Sequence, residues 1–455
     1  MISSHFGHWT LAWASVLNTP RHLAEVIETL DIEWEGAALY NMVRDLYPIC
    51  RSITGDGLRQ SLRLLQRHAP LSLREVASGT QVFDWTVPKE WNIRDAWIKN
   101  AKGEKVVDLN RSNLHVVNYS VPVRSTMSLA ELRPHLFTLP EQPDWIPYRT
   151  SYYKETWGFC LSHRQLEGLR DGTYEVCIDA TLASGYLTYG ELKIQGATDA
   201  EMLISAHSCH PSLCNDNLSG MAVAARLAQC LARLPLRYSY RFLWIPGTIG
   251  AIVWLALNEG LLAKTKHGLV LSCIGDPGRF TYKRSRRGKA EIDQVVEHVL
   301  KESGSGFDIL DFTPSGYDER QYGSPGINLP VGCFMRTPNG KYPQYHTSAD
   351  DLALVKPSAL AGSLHQLLKV VEVLEANRCF VNLNPKCEPQ LGRRGLYRAM
   401  GGTDNSGLEE AMLWVLNFSD SAHSLLDIAA RSHLSFGLLK QAADLLVGSG
   451  LLARA

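Results

Sequence analysis

HSCHPSLCNDNLSG, residues 207–220, is the stretch on which the fold of this chain turns. The apolar run Met202 to Ala206 before it reads as a short strand, and a helix is expected from about Ser219. His207, His210 and Asp216 thus fall in the loop where a strand gives way to a helix. Imidazoles and a carboxylate converging at a strand end are what a zinc site requires: three protein ligands and one open position. Two histidines three apart can reach one ion, or one can bind while the other orients it. Asn215 and Asn217 suit a tight turn that fixes Asp216, and Ser219 and Gly220 let the next helix start against it. A second run, YHTSAD at 345–350, adds His346 in a loop after Pro343. Asp350, four residues on, serves either to orient an imidazole or as a helix N-cap.

Working outward, strands are expected at 202–206, 238–245, 268–274 and 329–336, and helices at 219–233, 248–260, 289–303 and 357–376. That alternation predicts an α/β fold, a mixed or parallel sheet with helices on both faces. Ligands of such sheets lie outside the carboxyl ends of the strands, where both His/Asp runs fall. Residues 21–69 read as helical, interrupted by the turn-rich link YPICRSITGDG (47–57). Between 73 and 183, runs such as QVFDWTVP and GTYEVCIDATL predict an inserted all-β domain. The division is therefore 21–72 with 184–385 as the α/β core, 73–183 as the insertion, and 386–455 as a tail. In the tail, two helices joined by RSHLS carry Leu and Ala at helical spacing, the pattern of a winged helix.

Charged residues make up 20% of the 455 residues and the formal net charge is zero, so global charge points to neither nucleic acid nor an anionic membrane. The ten cysteines are scattered without a CxxC pair, the usage of reduced, cytoplasmic thiols. No apolar run approaches the ~18 residues that span a bilayer. The brief apolar run Trp9 to Leu17 has no Lys or Arg before it, unlike a secretory leader. In the tail, six basic residues from Arg393 to Arg454 are matched by six acids from Asp404 to Asp444. That balance argues against a DNA-reading role and for packing or homo-oligomer formation.

The motifs LYPICRSITGDG (46–57), VFDWTVPKEWNI (82–93), CHPSLCNDNLSG (209–220), PGTIG (246–250), GYDERQYGSPG (316–326) and YPQYHTSAD (342–350) resemble those of an aminopeptidase-like family. That family lies within the zinc aminopeptidase and glutaminyl cyclase superfamily. The resemblance implies a zinc-aminopeptidase-like mixed sheet flanked by helices, an inserted all-β domain and a C-terminal winged helix. It puts the bridging Asp on Asp216 and the last His on His346. The first ligand pattern, His-x-Asp, falls on His207-Ser208-Cys209, so Cys stands where the superfamily has Asp. The superfamily's Glu-Glu pair falls on Pro246-Gly247-Thr248-Ile249, without a carboxylate; its later Asp falls near Ser272, with Asp276 close by.

The expected activity is a zinc-dependent aminopeptidase-like hydrolase cleaving an amide bond of a small peptide or amino-acid conjugate. His207 and/or His210, Asp216 and His346 are the expected ligands. A hydrolase needs a base near the attacking water, and the GYDERQ loop supplies Glu319, the preferred candidate, and Asp318. Asp318 can instead serve as a ligand or orient Arg320. Cys209 is either a thiolate near the metal or a buried thiol. The KRSRRG run (283–288), with Arg286, and Arg336 would select a carboxylate- or phosphate-bearing substrate if they lie over the sheet edge, as would Arg320. Tyr148, Tyr152, Tyr153 and Trp157 either roof the pocket or form aromatic core. Two rivals stay open: a metal-dependent deacylase or acyl-transfer enzyme, and a degenerate, non-catalytic binding scaffold.

Overall fold

The structure, a computed structural model, describes residues 22–396 and 406–455. The run Trp9 to Leu17 lies outside them. An eight-stranded mixed sheet runs in the order 72–77, 186–194, 239–245, 201–207, 265–271, 331–335, 280–283, 307–310. Its centre, 239–245, 201–207, 265–271 and 331–335, is parallel, and the edges are turned antiparallel by 186–194 and 280–283. Every residue of Glu201–His207 and of Ser239–Ile245 is buried, as a parallel strand covered on both faces must be.

Alternate residues of the central strands face two different cores. Met202, Ile204 and Ala206 pack with the helices Ile32–Leu46, Ser219–Leu231, Glu291–Glu302 and Pro357–Ala376. Leu203, Leu243 and Val270 pack with the helix Ile249–Leu257 and the inserted segment. The helix Pro357–Ala376 opens on proline at its first position, where a missing N–H costs nothing.

The expected strands and helices of the sheet all form, with ends shifted by a few residues. Two boundaries differ. Ser72–Ala77, read from residue 73 on as part of the insertion, pairs antiparallel with Tyr186–Ile194 and edges the main sheet. The insertion's own sheet comprises 105–108, 90–99, 173–183 and 123–128. The tail contains the helices Leu425–Ser432 and Phe436–Gly448, with a small sheet of 420–424, 379–382 and 452–454. Cys379–Asn382 thus belongs to the tail's sheet although it precedes the boundary read from composition. Among the described residues no helix is long and apolar enough to cross a membrane.

Two buried features carry predictions for stability. Arg241 donates to both oxygens of Glu201 at 2.7 and 2.9 Å and to Glu191 at 2.5 Å, and Lys193 lies 3.1 Å from Glu201. Removing one member strands the others without water, so Glu201→Ala is expected to cost about 3–5 kcal/mol in chemical denaturation. His267 is buried and neither ring nitrogen makes a hydrogen bond; burial pushes its pKa down to about 4. The folded chain therefore holds this imidazole neutral while the unfolded chain protonates it. Its contribution is complete above the ordinary imidazole value and is lost as pH falls towards about 4. His267→Phe should flatten that acid limb by about 2–3 kcal/mol, read from denaturation midpoints between pH 7 and 4.

Candidate metal centre

The strand end and loop at 207–216 place two imidazoles around one carboxylate. Asp216 is fully buried, with Oδ1 2.8 Å from His207 Nε2 and Oδ2 3.3 Å from His210 Nδ1. His346 arrives from the far side of the chain, its Nε2 2.9 Å from Asp216 Oδ2. Sequence spacing leaves His207 and His210 as alternatives; the fold brings both to the same carboxylate. Burial alone raises the Asp216 carboxyl, but the charge of His210 and the contacts of His207, His210 and His346 outweigh it. The group is held well below the usual carboxylate range. Burial pushes His207 down to about 4 against the pull of Asp216, so it is a neutral donor at physiological pH.

The surroundings fix this cluster from every side. Asp350 accepts the backbone N–H of Asn215 at 2.6 Å and of Asp216 at 3.0 Å. It thus ties the Asp216 loop to the loop of His346 and neither orients an imidazole nor caps a helix. Asn217 donates to His207 Nδ1 (3.2 Å) and to the Leu271 carbonyl (2.8 Å), coupling the loop to the next strand. The ring nitrogen of His207 facing Asn217 is therefore an acceptor, which leaves a proton on Nε2 when no cation is there. Arg51, from the RSITGDG link, is buried and donates to the His210 carbonyl at 2.8 Å. The His346 backbone adopts φ 56°, a left-handed conformation that costs a non-glycine residue energy. It is held there by the insertion: Tyr148 N–H donates to the His346 carbonyl and Ser348 N–H to the Ile146 carbonyl, both at 2.8 Å.

Aromatic rings wall the cluster. Tyr317 stacks on His207 with centroids 3.9 Å apart and donates to Asp216, 2.6 Å from Oδ1 and 2.8 Å from Oδ2. Tyr345 stacks on His346 at 3.9 Å, and Tyr148 meets the edges of His210 and His346 at 5.0 and 5.1 Å. Tyr148 thus takes the roofing role, and its hydroxyl bonds that of Tyr152 at 2.8 Å. Tyr317 and Tyr345 escape the sequence reading. Their signal is adjacency, since each directly precedes a residue singled out for chemistry, Asp318 and His346.

The residues present fit a zinc ion. One carboxylate and the imidazoles are the donor set this ion takes, and donor atoms of His207, His210 and Asp216 lie within 4.8 Å of one another. His346 Nε2 is buried, lies beside Asp216 Oδ2 and has no other hydrogen-bond partner, so it faces the cluster. Among the described residues no second group of donors gathers for another ion. Cys209 is buried against the Gly247 carbonyl, with its thiol pushed up to about 12 by burial, and it is not among the donors that group around Asp216. Asp276 is spent on Thr337, Gly278 and Asn215.

The two candidate bases part company. Glu319 is paired with Lys283, the buried first residue of the KRSRRG run, and so is not the free base expected. Asp318 is fully buried and neither of its oxygens has a hydrogen-bond partner. Burial, then the charge of Glu319, pushes its pKa up to about 8, with Arg320 opposing. Its position answers a gap in the sequence. A Cβ added at Gly247 would lie 3.7 Å from Asp318 Oδ1 and 3.1 Å from His207 Cβ. The carboxylate absent from 246–249 is thus replaced in space by one from the GYDERQ loop.

The expected anion readers are mostly elsewhere. Arg336 is committed to Ser363 Oγ and the Gly278 carbonyl, packing the sheet against a helix. Arg286 is exposed and donates to Asn328 Oδ1, bracing a loop. Neither reaches the cluster through these contacts. Arg320 is half-buried beside Asp318, and its Nε makes no hydrogen bond.

Residues 40–377 match the model of a domain of unknown function, DUF4910, and residues 378–454 that of a winged helix-turn-helix. A protein of Clostridium acetobutylicum named for polysaccharide biosynthesis and an aminopeptidase-like domain is 53% identical over 412 residues, 90% of this chain and 95% of that protein. A crystal structure from the same organism, described as a peptidase, superposes with a TM-score of 0.91 at 50% identity, covering 95% of this chain and 100% of that one. BSAP, a zinc aminopeptidase from Bacillus subtilis, shares the fold at a TM-score of 0.54 and 13% identity, over 76% of this chain and 96% of its own.

Proposed function

Since the chain belongs to the DUF4910 family, with a C-terminal winged helix, and has an aminopeptidase-like fold, we propose that it is a zinc-dependent amide hydrolase acting on a small peptide or amino-acid conjugate. The observation that carries this reading is the convergence of three imidazoles on the buried Asp216 beside an unpartnered buried carboxyl, Asp318. Asp216, His346 and His207 and/or His210 would hold the ion. When bound, it supplies Lewis acidity towards the scissile carbonyl and makes the attacking water more acidic. Asp318 takes the proton from that water and returns it to the leaving amine. Tyr317 holds both oxygens of Asp216 in place, while Asp350 and Asn217 keep the loop from shifting. Tyr148 and Tyr345 wall the rings of His210 and His346.

A second reading, metal-dependent deacylation of an N-acylated sugar, is favoured by the polysaccharide-biosynthesis name of the Clostridium relative. Zinc-loaded protein assayed against aminoacyl anilides and N-acetyl amino sugars separates the two. Release of free amine from the anilides supports peptidase chemistry, and release of acetate from the sugars supports the rival. Turnover of neither by metal-loaded protein would leave a binding scaffold.

The tail is read as a packing module rather than a DNA reader. Phe436 opens the helix Phe436–Gly448, is buried, and donates its N–H to Glu302 of the core at 3.1 Å. The end of a recognition helix that enters a groove is here covered by a carboxylate. Ten free cysteines suit a reducing cytoplasm.

A further inference from the structure

A cleft of about 830 Å³ lies between the core and the tail, its lining shares no residue with the metal centre, and four cations line it. Arg237 precedes the strand Ser239–Ile245, and Arg378 joins the core's last helix to the tail. Lys440 and Arg454 come from the tail's last helix and last strand. The two guanidiniums nearest the joint share one acceptor. Arg237 donates to the Asn377 carbonyl at 2.9 Å and Arg378 to the same oxygen at 2.8 Å. Two like charges are thereby held side by side, and among the described residues the remaining donors of the Arg378 fork make no further hydrogen bond.

The carboxylates of the cleft, Glu372 and Glu375, offset only part of this charge. Glu375 is spent on the backbone N–H groups of Arg237 (2.5 Å) and Tyr238 (3.1 Å) and on the Tyr240 hydroxyl (2.8 Å). Lys440 is paired with Asp444 on its own helix at 2.8 Å. Among the described residues Arg237, Arg378 and Arg454 form no ion pair, and Glu372 is the one lining acid left over. A surplus of positive charge converging from core and tail on one concave surface favours a multiply charged anion, and planar guanidinium forks match phosphate oxygens. The volume falls in the range of small-molecule sites, about 300–1,000 Å³.

We propose that this cleft binds a phosphate- or diphosphate-bearing small molecule that bridges core and tail. Asn377 makes the bridge mechanically relevant: its Oδ1 accepts Leu426 N–H from the tail at 3.0 Å, and its Nδ2 donates to Glu291 of the core at 2.7 Å. An anion gripped there tightens the joint itself. The site is independent of the proposed hydrolase centre.

The test is calorimetric titration of the full chain with inorganic pyrophosphate, beside thermal melts. Saturable binding and a raised Tm are expected, weakened at least tenfold in R378Q/R454Q. The double variant should melt like the parent without ligand, because neither side chain is buried. Lys440→Gln serves as a second variant should the first fold poorly, with weakened binding again expected. His346→Ala should bind pyrophosphate unchanged, which separates this cleft from any zinc chelation at the metal centre. No saturable binding, equal affinity in the variants, succinate binding as tightly as pyrophosphate, or duplex DNA binding that pyrophosphate does not displace would each overturn the proposal.

Discussion

Asp216→Asn is expected to abolish zinc retention and hydrolysis together. The amide keeps the size of the carboxylate but removes the one full negative charge among the imidazoles. Metal chemistry of this kind contributes several kcal/mol to transition-state stabilisation, so activity should fall by about 10³-fold or more. Zinc measured by mass spectrometry after dialysis should drop from about one equivalent to background, while the far-UV spectrum stays native. The Asp216 carboxylate is held ionised by its partners in the folded state, so its contribution is present above the ordinary carboxylate pKa and lost as pH falls below it. The variant should therefore lose part of the parent's acid sensitivity. Full activity in a protein that no longer retains zinc would refute the metal mechanism while leaving the fold untouched.

Asp318→Asn separates the base from the metal. The variant should retain zinc and lose about 10²–10⁴ in kcat with little change in KM, the span that general base catalysis contributes. The parent's kcat/KM should rise with pH as Asp318 gives up its proton. Its metal-free pKa of about 8 sets the upper limit, because a cation nearby favours the carboxylate. The sign for stability runs the other way. A carboxyl whose folded pKa is raised loses stability as pH climbs from the ordinary aspartate value towards about 8, so the Asp318→Asn variant should melt higher than the parent at pH 8 and above. Glu319→Gln offers the contrast: it leaves Lys283 buried without its partner and should destabilise the chain more than it slows turnover. A kcat loss larger for Glu319→Gln than for Asp318→Asn, at matched stability, would return the base to Glu319.

Some of this is legible in the residues. The strand Glu201–His207 and the helix after Ser219 announce themselves because apolar periodicity is a local property, and their junction carries the His and Asp in plain view. The same locality explains the winged helix, whose Leu and Ala spacing sits in two short helices. Ser72–Ala77 reads as part of the insertion because a strand's composition does not say which sheet it joins. Its partner, Tyr186–Ile194, lies more than a hundred residues away. Arg336 and Arg286 look like anion readers because charge is visible in a sequence, while the commitment of its donors to Gly278, Ser363 or Asn328 is not.

What the sequence determined by itself is the α/β alternation, the donor types of the centre and the absence of an acid after the strand Ser239–Ile245. What the tertiary structure alone decided is which acid faces the gap. Glu319 and Asp318 are neighbours on the chain, but a helical turn sends one to Lys283 and leaves the other unpartnered beside Gly247 and His207. Spacing along a chain records residue type and local period. Which way a side chain points, and what neutralises it, is set by packing between segments that the chain brings together from far apart.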